Sequence, residues 1–290
     1  GGGLSVSARD EARRAIADAL EAILGDETLD DQMRGELLIL PSQTYLAEQM
    51  LVADPGRIFD EREGLKAWLG EALAKNFDAL YERAAAAPGG REAEAVGARK
   101  VKTLALSYIA AADPERAETL AMRQYDAADT MTDRQGALMV LSGLEGPARS
   151  DRLAAFYERY RDNPLALDKW FAIQASSLHP DVVDQVKALA EHPDFTLRNP
   201  NRVRSLYMAF AGTAQGFHAS SGEGYRMIAD LILALDPINP QTAARFVPPL
   251  GRWRRMEPKR AALMKEQLER IAAAPQLSRD TYEQVTRSLG

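Results

Sequence analysis

Apolar residues recur every three or four positions along nearly the whole chain, which is the spacing of amphipathic α-helices. Near the start, one such stripe consists of Ala12, Ile16, Leu20 and Ile23, and Ser7 is positioned to act as the N-cap of that helix. No run of alternating apolar and polar residues reaches the length of a β-strand. The pattern therefore predicts an all-α protein.

Proline and glycine divide this pattern into about fifteen predicted helices with short connections. Pro41 ends one segment, Pro88 with two following glycines ends another, and Asp113 with Pro114 provides an N-cap and a first helical residue. Short links make neighbouring helices antiparallel. Residues 4–290 are thus predicted to form one right-handed superhelical solenoid of antiparallel helix pairs, HEAT- or ARM-like because no strict repeat period is visible. A compact, irregular helical bundle is the alternative.

Composition narrows the classes of function. A net charge of −6 argues against a nucleic-acid partner, and no apolar run reaches the roughly 20 residues of a membrane span. The absence of cysteine excludes disulfides and thiolate ligands, which fits a cytoplasmic location. Residues 1–3 are all glycine and are interpreted as a linker or the scar of an expression tag.

The familiar catalytic and metal-binding motifs are missing. His179, His192 and His218 are the three histidines, and none has a partner at helical ligand spacing. The segment "GEGYRM" begins like a dinucleotide-binding fingerprint, but Met227 replaces its third glycine and no strand precedes it. The sequence therefore predicts no catalytic residue and no metal ligand in this chain.

Four unusual stretches carry a resemblance to a known family: "ELLILPSQTYLAEQM", "LDKWFAIQASS", "FTLRNPNRVRSLYMAFAG" and "NPQTAARF". In this order they resemble the C-terminal helical domain of bacterial aminopeptidase N, a zinc-dependent HExxH family. The resemblance extends from about residue 7 to residue 289. It implies that a catalytic domain, which holds the zinc, and a β-sandwich domain belong to the same polypeptide.

The resemblance also implies a role for this domain. It would close the active-site cavity as a lid and line the channel for a peptide substrate, and it would be inactive alone. The alternative is a free-standing helical-repeat scaffold that binds a protein or peptide partner. An in-frame upstream coding sequence with HExxH would decide for the aminopeptidase.

Two similar Asn-Pro sequences precede the predicted substrate-channel residues. In "NPNRVR", Asn199 should cap a helix whose buried stripe places Arg204 at its edge. In "NPQTAARF", Gln241 and Arg245 are four residues apart and share a helix face. The resemblance implies that Arg204, Gln241 and Arg245 bind substrate, a task that suits arginine because its planar fork matches a carboxylate.

Other residues near these positions are expected to have structural roles. Trp170 and Phe171 should pack in the core, and Asp168 should belong to an exposed charged pair with the lysine that follows it. Arg198 and Arg202 should make solvent or interdomain contacts. The histidine at position 218 should cap or pack its glycine-rich loop.

Overall fold

A computed structural model describes residues 5–290 of the chain, and its secondary structure is helical throughout this range apart from one isolated β-bridge. The first nine helices are α1 (Val6–Gly25), α2 (Asp31–Leu37), α3 (Gln43–Glu48), α4 (Pro55–Ala72), α5 (Ala74–Ala85), α6 (Ala93–Ala112), α7 (Pro114–Ala127), α8 (Met131–Ser142) and α9 (Pro147–Tyr160). The remaining ones are α10 (Pro164–Ala175), α11 (Val182–Ala190), α12 (Pro200–Val203), α13 (Ala209–Ala211), α14 (Glu223–Leu235), α15 (Pro240–Ala244), α16 (Val247–Gly251), α17 (Pro258–Ala272) and α18 (Arg279–Leu289). Among these helices, none is both long and apolar enough to cross a membrane.

Most helix starts follow the predicted capping chemistry. The Asp113 carboxylate accepts a hydrogen bond from the Arg116 amide at 3.1 Å, and Pro114 occupies the first turn of α7. The first helix is an exception, because Ser5 and not Ser7 is its N-cap and accepts from the Ala8 amide at 3.2 Å. Both serines have the required hydroxyl, and the extended backbone at Ser5 decides which one caps.

Three departures from the predicted helices occur where local pattern is weak. The segment predicted as one helix from 62 to 87 is interrupted at Leu73, whose backbone leaves the helical region although the residue is neither proline nor glycine. Helix α3 has six residues, too few to show a period. Between α12 and α13, Arg204–Met208 form a π-helical turn within one continuous helical segment.

Among the described residues, one compact unit comprises residues 5–41 and 61–152. The rings of Phe77 and Tyr108 stack in its core with centroids 4.3 Å apart. A buried ion pair joins Lys102 on α6 to Asp133 on α8 at 2.7 Å. Gln124 donates to the same aspartate at 3.1 Å, so the buried charges are also hydrogen-bonded.

The second compact unit comprises Ser42–Asp60 and Leu153–Gly290. Its early segment is tied to residues about 200 positions later, because the Ala53 amide donates to the Arg255 carbonyl at 2.7 Å and the Glu257 amide donates back to Ala53 at 2.8 Å. The core of this unit contains buried rings from helices and from the turns between them: Phe156, Phe171, Phe210, Phe217, Tyr225 and Phe246. The prediction of a single solenoid domain over 4–290 stays a prediction.

The predicted exposure of Arg202 and Asp168 is wrong. Arg202 is only 4% exposed, and its Nε donates to Asp168 Oδ1 at 2.6 Å. Its guanidinium also lies 4.9 Å from the centre of the Phe171 ring and donates to the Asp194 carbonyl. Phe171 itself is fully buried, as the sequence predicted, and so is most of Trp170.

Candidate functional site

The candidate site is built on α15 and α16 in the second unit. Gln241, Arg245, Pro248 and Arg252 are exposed to solvent and follow one another at spacings of four, three and four residues. Their neighbours on the opposite side are buried: Ala243, Phe246, Val247 and Leu250. The segment therefore presents one polar stripe while its other side packs in the core.

Local sequence explains the shape of this segment. The Asn239 side chain accepts from the Thr242 amide at 3.1 Å, and Pro240 occupies the first turn of α15. Pro248 and Pro249 have no amide hydrogen, so they cannot continue the hydrogen bonds of α15. The chain instead restarts a helix at Val247, where prolines in the first turn are tolerated.

One side of the stripe opens on what we call the acidic cleft, a space of about 480 Å³. Gln241, Arg245 and Pro248 line one wall, and Asp280 and Glu283 of α18 line the other. Within α18, Glu283 accepts from Arg279 Nε at 2.7 Å, which lowers the pKa of the Glu283 carboxyl.

A buried carboxylate holds the start of α18 in place. Asp236 accepts from the amide and hydroxyl of Ser278 at 2.7 and 2.5 Å, and from the Thr281 hydroxyl at 2.6 Å. Because Ser278 caps α18, these bonds fix the position from which Asp280 faces the cleft.

The other side of the stripe opens on what we call the apolar pocket, a space of about 370 Å³. Its lining residues are Gln43, Thr44, Ala47, Pro55, Ile58, Met208, Ala211, Gly212, Ala214, Phe217, His218, Arg245, Pro248, Pro249, Arg252 and Met256. Arg245 and Pro248 line both spaces, so the acidic cleft and the apolar pocket are neighbours along the same stripe.

His218 lines the apolar pocket as a neutral residue. Its Nδ1 lies 2.7 Å from the Tyr225 hydroxyl, and its ring packs against Phe217 with centroids 4.8 Å apart. Burial, followed by the positive charges of Arg260 and Arg252, lowers the pKa of His218 to about 3. The residue packs its loop, as expected from the sequence.

The glycines after His218 are needed by the backbone, because one adopts a left-handed conformation and the other lies against a neighbouring backbone segment. Gly222 has φ +77°, a left-handed conformation that favours glycine, and it is the N-cap of α14. A Cβ on Gly224 would lie 2.4 Å from the Gly216 carbonyl oxygen and 2.6 Å from Phe217 Cα. The structure thus accounts for the glycine pair of "GEGYRM" without any phosphate.

The predicted substrate-binding residues are partly brought together. Gln241 and Arg245 share the acidic cleft, whereas Arg204 lies outside the residues that line it or the apolar pocket. Arg204 is half-buried, and its Nη2 donates to Asn201 Oδ1 at 2.5 Å. Sequence reasoning missed Arg252, although its position seven residues after Arg245 was a usable signal.

The described residues do not fit the zinc that the resemblance implies for the whole enzyme. Across residues 5–290, no group of three or more histidine, aspartate or glutamate side chains could hold a metal ion.

A family model described as a domain of unknown function (DUF3458_C) with ARM repeats matches residues 4–290. The chain belongs to this family. The match also confirms the predicted all-α, HEAT- or ARM-like fold class.

This DUF3458_C chain is similar to aminopeptidases over part of their length. It is 40% identical over 278 residues to aminopeptidase N of Caulobacter vibrioides and 35% identical over 275 residues to that of Escherichia coli, covering 94% of this chain and 32% of each relative. The crystal structure of Legionella pneumophila aminopeptidase A in complex with aspartic acid matches with a TM-score of 0.86 and 29% identity, over 97% of this chain and 36% of that one. The predicted resemblance to aminopeptidase N is confirmed, and the chain spans about a third of these relatives.

Proposed function

We propose that this chain is the C-terminal lid domain of a zinc-dependent aminopeptidase. The zinc and the catalytic residues would lie in another domain of the same polypeptide, and the chain alone would not hydrolyse peptides. Its similarity to about a third of two aminopeptidases N supports this proposal. A lid of this kind excludes bulk water and folded proteins from the reaction.

The observation that carries the channel role is the pair Gln241 and Arg245. Both side chains are exposed, both line the acidic cleft, and Arg245 makes no salt bridge or side-chain hydrogen bond with any residue from 5 to 290. A peptide beyond the scissile bond offers carbonyl oxygens, amide hydrogens and a terminal carboxylate. An amide side chain can donate and accept, and an unpaired guanidinium can bind carbonyl or carboxylate oxygens.

The channel role predicts a substrate-dependent effect of Arg245→Gln in the full-length aminopeptidase. kcat/KM for an alanyl tetrapeptide should fall about tenfold to a hundredfold, because a hydrogen bond to a charged group contributes roughly 1.5–3 kcal/mol. The rate for an alanyl anilide should stay within about twofold, since this substrate has no peptide beyond the scissile bond.

Arg198→Gln is the matched control, because Arg198 is exposed and does not line the acidic cleft or the apolar pocket. This variant should turn over both substrates at the wild-type rate. Equal losses on the peptide and the anilide, or no loss on either, would count against the channel role.

A further inference from the structure

Arg252 is a second cation with no partner beside the proposed channel. It is exposed, it lines the apolar pocket, and its side chain makes no ion pair or hydrogen bond to any other part of the described chain. Arg245 lines the same pocket seven residues earlier. Two unpaired guanidinium groups at one pocket favour an anionic ligand.

The charges around the pocket point to the same conclusion. Among the described residues that line it, Arg245 and Arg252 are the ones with a formal charge. The nearest acidic residues in sequence, Asp54 and Glu257, both accept from Arg260, at 3.1 and 3.2 Å, so its positive charge offsets one of their two negative charges. On the far side of Arg245, the acidic cleft carries Asp280, which would repel a carboxylate, and Glu283, which is paired with Arg279.

The walls of the pocket are suited to an apolar group. Among its lining residues, Ile58 and Phe217 are buried, and Met208 and Met256 are more exposed. Methionine is flexible and polarizable, so it adapts to side chains of different shape. The volume of about 370 Å³ falls within the range of small-ligand sites.

We propose that the apolar pocket binds the C-terminal residue of a peptide substrate. Arg252, assisted by Arg245, receives the terminal carboxylate, and the apolar walls hold the last side chain. This inference rests on the proposed function and makes the pocket a determinant of substrate length and C-terminal sequence.

The test uses the full-length aminopeptidase and alanyl peptides of three to six residues. Each peptide ends in leucine or serine and is made as a free acid and as a C-terminal amide, and kcat/KM is measured for each. At the length that reaches the pocket, the leucine free acid should exceed its amide by about tenfold, because a charge-assisted hydrogen bond is lost in the amide.

Arg252→Gln should reduce this acid-to-amide ratio to about one, and Arg252→Lys should restore part of it. Met208→Ser should reduce the preference for leucine over serine and leave the acid-to-amide ratio in place. Arg198→Gln, the same change at an exposed arginine outside the pocket, should leave both ratios at their wild-type values.

The inference is overturned if Arg252→Gln leaves the acid-to-amide ratio unchanged at every peptide length. It is also overturned if this variant lowers kcat/KM equally for the free acids and the amides. If Arg245→Gln still lowers peptide turnover selectively, the proposed channel stands and only the pocket assignment fails. If neither variant affects peptides selectively, the proposed function fails as well.

Discussion

Arg202 shows how the surroundings of a single residue override its usual preference. An arginine next to a helix start is ordinarily solvated, yet this one is buried between Asp168 and the Phe171 ring. These two partners come from α10, an earlier helix in the chain. No local pattern could identify them, because burial of a charge depends on which groups meet it in space.

Replacement of Arg202 by methionine should destabilise the protein by about 3 kcal/mol, because Asp168 would keep its buried charge without a partner. The free energy of unfolding in urea measures this loss. The double variant Arg202→Met, Asp168→Leu should recover much of it, since neither charge then remains. A loss below about 1 kcal/mol for the single variant would show that the pair is effectively solvated.

At the level of elements, the same start recurs before three helices. Asn163, Asn199 and Asn239 each precede a proline, and each side chain accepts a hydrogen bond from a first-turn amide. These starts were predictable because a cap involves only neighbouring residues. The break between α15 and α16 is likewise local, because Pro248 and Pro249 lack the amide hydrogens that α15 would need to continue. The π-helical turn at 204–208 has no such signal in the sequence and was not predictable.

Asn239→Ala should lower the free energy of unfolding by about 1 kcal/mol, the typical value of a lost N-cap. It should also lower kcat/KM for peptides, because α15 begins at this cap and carries Gln241. Asn163→Ala removes an equivalent cap from α10 and is the control. It should cost similar stability and leave the ratio of peptide to anilide turnover unchanged; a parallel change in that ratio would contradict the positional role of Asn239.

At the scale of the whole molecule, His218 links stability to pH. Its folded pKa of about 3 lies below the ordinary value of 6.5, so the unfolded chain takes up the proton first as pH falls. The protein should therefore lose stability progressively from about pH 6.5 toward pH 3, and should gain nothing further from this residue above that window.

When the pH falls from about 8 to about 5, protonation of His218 in the unfolded chain should by itself lower the free energy of unfolding by about 2 kcal/mol, since one pKa unit corresponds to about 1.4 kcal/mol. Urea unfolding of the wild type and of His218→Gln at both pH values measures this contribution. The difference in stability between the two proteins should shift by that amount, while contributions from other groups cancel. A pH-independent difference would mean that His218 is solvated.

The sequence by itself determined the helical class, most helix starts, the family resemblance and the shared face of Gln241 and Arg245. All of these follow from residues within a few positions of one another, or from motifs that can be read in order. Only the tertiary structure decided the burial of Arg202, the neutral state of His218, the backbone hydrogen bonds between Ala53 and the 255–257 segment, and the pocket at Arg252. These features arise where residues far apart in the chain pack together and exclude water, and the local hydrophobic pattern does not indicate which distant residues will meet.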